Sequence, residues 1–537
     1  MSIGEHERSR LSPAPILPQP GSGADGRARI PTPMNRRQFL LSSAAACVSG
    51  PALAQMKMMD HDMSGVGGMQ HGQMMPPAPV AGPALPEGAP LRELPRLANM
   101  APERALFEAK LTAAVAKARF VDGLDTLILA YNGESPGPLI EVTEGDRVRI
   151  AFRNAIPNQP STIRWHGMPV PADQDGNPIN AIASGDGRTY EFDLPDGSAA
   201  SYWYHPHPHA LSAEQVYRGL AGPFLVKPKI DPIPAAYGDT VLVLTDLRLA
   251  ADGSLPEDTI ADLTNGRVGD HVLVNGQNKP ILTVQPGSRR RFRLFNASNA
   301  RFLRLTFGDA PMTIIGSYGG LLAAPVQGVT EILLSPAERA EVVVAFEKGG
   351  SFALKTLPYD RGWMGPGRPA KVDLTLMSVE AKGAAVTEMP PLPEALRPVP
   401  ELAEPRVRRR FVYGESMAMG GPGGMTMAFL INGKTFDMSR VDVEMRVGQT
   451  ELWEIQNPTD MDHPFHIHGT QFQVVEVERS GRILKPAYRA WKDTINVARG
   501  ETVRIAVCQQ LPGLRMYHCH ILEHEDQGMM GILNAVA

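Results

Sequence analysis

Cysteine is scarce in this chain: 537 residues contain three, Cys47, Cys508 and Cys519. That excludes a disulfide framework as the source of stability. No one sign of charge dominates either. A formal net charge of −4 gives no basic field, which argues against nucleic acid as a partner. Past the N-terminal region no apolar run is long enough to cross a bilayer, so no stable membrane span is expected. What the chain has in quantity is glycine and proline, 52 and 49 residues, beside a hydrophobic content of 43%. This suits a soluble, turn-rich, mostly β protein. Its length exceeds what one core usually serves, so several domains are expected. The chain is expected to act as a monomer.

Residues 34–54, MNRRQFLLSSAAACVSGPALA, read as an address rather than as fold. Arg36 and Arg37 precede an apolar run, and Ala52-Leu53-Ala54 offers a cleavage site. The pattern resembles a twin-arginine signal, read by the export machinery that moves folded proteins. The mature protein is then expected in the periplasm, with Ala44-Ala45-Ala46-Cys47 leaving a lipoprotein signal as the alternative. Residues 1–33 read as an upstream extension, with Met34 as the start. Cys47 is expected to leave with the signal. Cys508 sits in the apolar run VRIAVC and reads as an inert buried thiol. Cys519 needs another explanation.

Residues 55–90 read as a disordered, Met-rich segment. Met56, Met58, Met59, Met63, Met69, Met74 and Met75 are interleaved with His61, His71 and glycines, and no helical or strand period organises them. Thioether sulfur is a soft donor that favours cuprous copper. Copper capture is one reading of the segment and a flexible linker is the other. A second Met/Gly stretch with Met417, Met419, Met425 and Met427 supports the first.

Three copies of one pattern organise the rest: an Asn-Gly pair, a later glycine, and an alternating run ending in Asn. They are Asn132-Gly133, Gly145 and Asn154; Asn275-Gly276, Gly287 and Asn296; Asn432-Gly433, Gly448 and Asn457. Asn-Gly marks a tight turn. The runs RVRIAFRN, RRFRLFNA and ELWEIQN have the period of half-buried strands. Three related β units predict an all-β chain of three Greek-key β-sandwich domains, 91–228, 238–380 and 406–537, with a linker over 381–405.

Histidine placement carries the chemistry. In YHCHILEHEDQGM, Cys519, His524 and Met529 have the ligand types of a blue-copper site, and His463 of HPFHIHG can supply the missing imidazole. Neighbours on a strand point to opposite faces. Cys519 can therefore face one copper while His518 and His520 face another metal site. His205 with His207, His466 with His468, and His166 supply further imidazoles at ligand spacing. His209 lies too far along its strand to join His207 and is read as a non-ligand.

At this point the chain resembles the multicopper oxidase family over residues 92–537. The likeness is nearest to bacterial periplasmic copper-efflux (cuprous) oxidases and laccases, through HPFHIHGTQF, WKDT and HCHILEHEDQGMM. The resemblance implies three cupredoxin domains and copper as cofactor. It implies a type 1 copper on His463, Cys519 and His524 with Met529 axial. It implies a type 3 pair on His166, His205, His207, His468, His518 and His520, and a type 2 copper on His466 and one more histidine. Asp175 and Glu525 match the family's proton path, and Met461 matches a substrate-site methionine. Cuprous ion or a small phenol would be the substrate and dioxygen the acceptor.

One position departs from the pattern. The family's His-x-His-Gly is Arg164-Trp165-His166-Gly167 here. A guanidinium stays protonated and cannot ligate, so the type 2 site is half built and dioxygen reduction is the step expected to be impaired. Two other readings compete with an oxidase: a non-catalytic copper-binding or scaffold protein, and a copper nitrite reductase. Three repeats and the full HCH tripeptide weigh against the last.

Overall fold

The computed structural model describes residues 82–537, apart from 103–104, 366 and 420–424. The signal-like residues, Cys47 and the methionines at 56–75 lie outside the described residues. Within them, strands assemble into six sheets that pair off as three sandwiches. The first sandwich sets a 4-stranded sheet (Leu124–Tyr131, Leu106–Val121, Arg147–Ala155, Gly187–Asp193) over another (Ile140–Thr143, Gly222–Lys227, Ala200–His205, Arg164–His166). Sheets of 7 and 5 strands follow within residues 240–381, and sheets of 6 and 5 within 407–536. One apolar cluster fills each: around Trp165, around Phe292, and around Trp453 and Phe465. This is the all-β sandwich architecture that the repeats predict. Among the described residues no helix is long and apolar enough to cross a membrane.

The sequence repeat is a repeat of hydrogen bonds. Asn132, Asn275 and Asn432 all have positive φ, at 52°, 51° and 54°, and each is followed by a glycine that does too. Each Asn side chain then bridges into the neighbouring strand. Asn132 accepts from the Thr112 N–H and donates to the Lys110 carbonyl. Asn275 does the same with Val243 and Val241, and Asn432 with Val412 and Arg410. The closing residues Asn154, Asn296 and Asn457 are buried, and each donates to two carbonyls. These amides satisfy backbone groups where a strand leaves its sheet.

Two expectations need correction. Residues 82–90 are not disordered: Leu85 is buried with Leu247, Leu249 and Leu273, Gly88 N–H donates to the Lys279 carbonyl, and Pro90 bridges Ile281. The apolar anchor Leu85 ties down a stretch that composition alone marks as loose. The strand Ser288–Asn296 is not half-buried either, since its polar side is covered. Arg291 and Arg293 there converge on the buried Glu341 at 2.6 and 2.7 Å, and Ser201 of the first sandwich donates to the same carboxylate. Asp231 accepts from Arg291 Nη1 at 2.6 Å and Asp239 from Arg293 Nε at 2.7 Å. The residues read as a linker lie along the second sandwich, with Met389, Leu392 and Leu396 against Ile233, Tyr237 and Ile315.

Burial alone would raise the Glu341 carboxyl, but Arg293 and Arg291 outweigh it and hold it below its ordinary value. Its stabilisation is therefore present at neutral pH and is lost as pH falls through the depressed value. Glu341→Gln would leave two buried guanidinium groups short of a counter-charge. It should cost roughly 3–5 kcal/mol, read as a lowered denaturation midpoint with unchanged slope.

Candidate metal centre

Strands His463–Ile467 and Gly513–Cys519 lie antiparallel, with Phe465 opposite Cys519 and His466 opposite His518. The pleat sends Cys519 into the core of the third sandwich and His518 the other way. Cys519, His463 and His524 form one donor group. Sγ of Cys519 lies 3.5 Å from Nδ1 of His463, which lies 3.2 Å from Nδ1 of His524. The outer nitrogens are occupied, His463 Nε2 by the Thr459 hydroxyl at 3.0 Å and His524 Nε2 by the Thr264 carbonyl at 3.2 Å. Each ring thus turns Nδ1 inward. Met529 is fully buried in the same cluster, and its carbonyl accepts from the Cys519 N–H at 3.0 Å. Burial pushes the Cys519 thiol well above its ordinary range, so a bound cation must displace its proton before the sulfur ligates as thiolate.

Two triads stand on the other side: His166, His205 and His520, and His207, His468 and His518. His518 joins one and His520 the other. Backbone and amide acceptors again fix the tautomers. Nδ1 of His205 lies 2.9 Å from the Pro206 carbonyl, Nδ1 of His518 2.9 Å from the Cys519 carbonyl, and Nδ1 of His468 3.1 Å from the Asn177 amide oxygen. His166 turns Nε2 to Asp493 at 3.0 Å. The opposite nitrogens converge, with His207 and His518 facing at 3.3 Å, His468 and His518 at 3.1 Å, and His166 and His205 at 3.3 Å. Burial first, with neighbouring imidazoles and Arg164 after it, lowers the values of these imidazoles; His207 is pushed down to about 3. Both ring nitrogens of His520 are buried without a hydrogen-bond partner.

Arg164 lies among these rings, fully buried. Its Nη1 donates to Asp175, its Nε donates to His468 Nε2 at 3.2 Å, and its Nη2 lies 3.3 Å from His466 Nε2. Asp175 also meets Arg515 at 3.5 Å. Glu525 lies 3.2 Å from His518 Nδ1 and 3.5 Å from His207 Nδ1. His209 is exposed, lies tilted against Phe436 with ring centroids 5.2 Å apart, and joins no donor group. Met461, matched to a substrate-site methionine, is fully buried, with the Arg361 guanidinium 4.0 Å from its sulfur. The Gly362 backbone packs so closely on Asp460 and Met461 that a side chain would clash. Cys508 is buried, and burial raises its thiol.

Profiles described as multicopper oxidase match residues 112–231, 238–364 and 413–536. The chain belongs to the multicopper oxidase family. It is 34% identical over 429 residues to the multicopper oxidase mco of Staphylococcus aureus, covering 78% of this chain and 87% of that one. It is 31% identical over 470 residues to a laccase of Bacillus subtilis, covering 75% and 89%. The solved multicopper oxidase of Campylobacter jejuni, described as a metallo-oxidase, superposes with a TM-score of 0.79 at 39% identity, covering 84% of this chain and 96% of that one. These relatives are oxidoreductases, and the family implies copper.

The donor sets of this multicopper oxidase fit copper. A thiol with two imidazoles suits a soft site, and six imidazoles suit borderline cations. The unpartnered nitrogens of His520 and the facing lone pairs of the triads are left unsatisfied by protein alone, and buried polar atoms seldom are.

Sequence reading missed Asp493 and Arg339. Asp493, inside WKDT, receives both Arg339 Nη groups at 2.8 Å and orients His166, while its carbonyl faces Nδ1 of His466 at 2.8 Å. Gly167 is required beside them: its φ is 86°, and a Cβ there would strike the Asp493 carboxylate. That glycine was the available signal. Asp493→Asn should free His166 and cost roughly 10–100-fold in copper affinity at its triad. Chelator titration should show that loss with the thiolate colour intact.

Proposed function

We propose that this oxidoreductase oxidises cuprous ion, and small phenols less well, at a type 1 site of His463, Cys519, His524 and Met529. The two triads would hold a type 3 pair that meets dioxygen. The arrangement that carries the reading is the His518–Cys519–His520 tripeptide, whose thiol belongs to one donor group and whose imidazoles belong to two others. Bound copper would supply one-electron chemistry at both places. The chain contributes neutral, pre-oriented imidazoles, a dry core around Cys519, and the shortest covalent connection between the sites. Glu525, against His518 and His207, and Asp175, against His468 at 3.3 Å, would bring protons. The description of the Campylobacter jejuni relative as a metallo-oxidase supports cuprous ion as substrate, as do the methionine-rich stretches. Arg36-Arg37 and the run after them support export to the periplasm.

Arg164, packed between His466 and His468, favours a second reading: a copper-binding protein of this fold that does not turn over. Oxygen uptake with cuprous ion separates the two, since a scaffold consumes none. Cys519→Ser should abolish both the uptake and the intense visible thiolate-to-copper absorption, because a hydroxyl does not replace a soft thiolate. A copper-saturated but colourless wild type would refute the type 1 assignment. Specificity for cuprous ion over a bulky phenol should fall when residues 56–75 are deleted and copper is limiting. Unchanged kinetics would make that segment a linker.

A further inference from the structure

Residues two apart on a strand share a face, so Arg164 looks toward the triads as His166 does, while Trp165 between them packs in the first core. The guanidinium is held on several sides. Nη1 donates to the Trp165 carbonyl at 3.1 Å and to Asp175, and Asp175 is itself braced by Arg515. Nη2 and Nε address His466 and His468. Nδ1 of His466 faces the Asp493 carbonyl and Nδ1 of His468 the Asn177 amide oxygen. The Nε2 atoms that meet Arg164 are therefore lone pairs, the same atoms a metal would take. A guanidinium offers five donors and no acceptor. It caps the His466 lone pair and brings a fixed positive charge with it.

One donor group does include His466, with His166 and Asp493, but both are already committed: Asp493 receives both Arg339 Nη groups at 2.8 Å and His166 belongs to the triad with His205 and His520. His166 lies closest, its ring stacked on that of His466 at 3.8 Å. Its Nε2 is committed to Asp493 and its Nδ1 turns to His205. His468 is different, because its Nε2 also lies 3.1 Å from Nε2 of His518. A cation in that triad can take this lone pair while Arg164 keeps Asp175 and the Trp165 carbonyl.

We propose that the Arg164 guanidinium permanently replaces the fourth copper of the family's set: the chain holds three coppers, one at Cys519 and one in each triad, and His466 accepts a hydrogen bond instead of ligating. This rests on the copper-oxidase reading above. The positive charge of the missing ion is retained, whereas its electron is not. Reducing one dioxygen to two waters consumes four electrons and four protons. Three coppers store three electrons, so the fourth must come from a further cuprous ion, which leaves as cupric ion.

The test is a copper count and an electron-spin spectrum on full-length wild-type protein saturated with copper and dialysed. Three coppers per chain are expected, with a single spin signal from the thiolate site, because a coupled pair is silent. Arg164→His should take up one more copper and add a second signal, with the visible absorption unchanged. Arg164→Gln removes the charge without supplying an imidazole and should stay at three. A fourth copper there would overturn the ligand argument. Four coppers with two signals in the wild type would overturn the proposal outright. Fewer than three with the absorption intact would also overturn it, since Arg164 would then empty the cluster rather than replace one member. A wild type with neither copper nor colour overturns the oxidase reading itself, and that failure is visible separately. The wild-type count decides even if Arg164→His fails to fold.

Discussion

The antiparallel register that sets Phe465 opposite Cys519 and His466 opposite His518 fixes both donor sites at once. Side chains alternate with a period of two, so a slip of one residue would send Cys519 toward the triads and His518 into the core. The apolar neighbours guard against that slip. Phe465, Ile467, Tyr517 and Cys519 all belong to the core of the third sandwich, and exchanging them for histidines would bury ring nitrogens without hydrogen-bond partners in hydrocarbon. The same pleat that separates the sites also joins them, because only one peptide unit lies between the thiol and each flanking imidazole.

The second sandwich contributes no member of the three histidine and thiol groups, yet the centre leans on it. Arg339 of that sandwich grips Asp493 of the third, and Asp493 orients His166 of the first. Tyr318 donates to Glu338 at 2.9 Å and meets the Thr494 carbonyl, while Lys492 donates to Tyr318 at 2.8 Å. Arg339 also donates to the Ser201 carbonyl. A buried guanidinium that touches all three units holds imidazoles from the first and third at ligand distance. Charged hydrogen bonds of this kind are short and directional, which suits a site whose donors come from separate cores.

What the sequence disclosed follows from locality. The Asn-Gly repeats are legible because their backbone demand, positive φ followed by glycine, is met within two residues. The histidine and cysteine sets are legible because ligand spacing on a strand is a short-range property, and Cys519 is the one thiol with such neighbours. Asp493 and Arg339 were missed, since the partners that give this carboxylate and guanidinium their role lie far along the chain, Arg339 from Asp493 and Asp493 from His166. The same holds for the buried face of Ser288–Asn296, which alternates like an exposed strand until Glu341 and Ser201 close over it. Met461 adds a contact that its motif does not encode, since the segment carrying Arg361 and Gly362 packs on it from a hundred residues away.

Charge balance around Arg164 ties these observations together. Without it, Asp175 and Arg515 would form a neutral pair beside the triads, able to tolerate another cation. With it, two guanidinium groups share one carboxylate in a region fully removed from water. Such an excess is costly in a low-dielectric interior unless lone pairs help to absorb it; His466 provides one, and His468 a second while its own triad holds no cation. Their neutrality is thus a structural requirement as well as a chemical one, because a protonated imidazole in either place would face a guanidinium at hydrogen-bond distance. The ring nitrogens that make the centre a ligand set are also what lets the protein keep an arginine inside it.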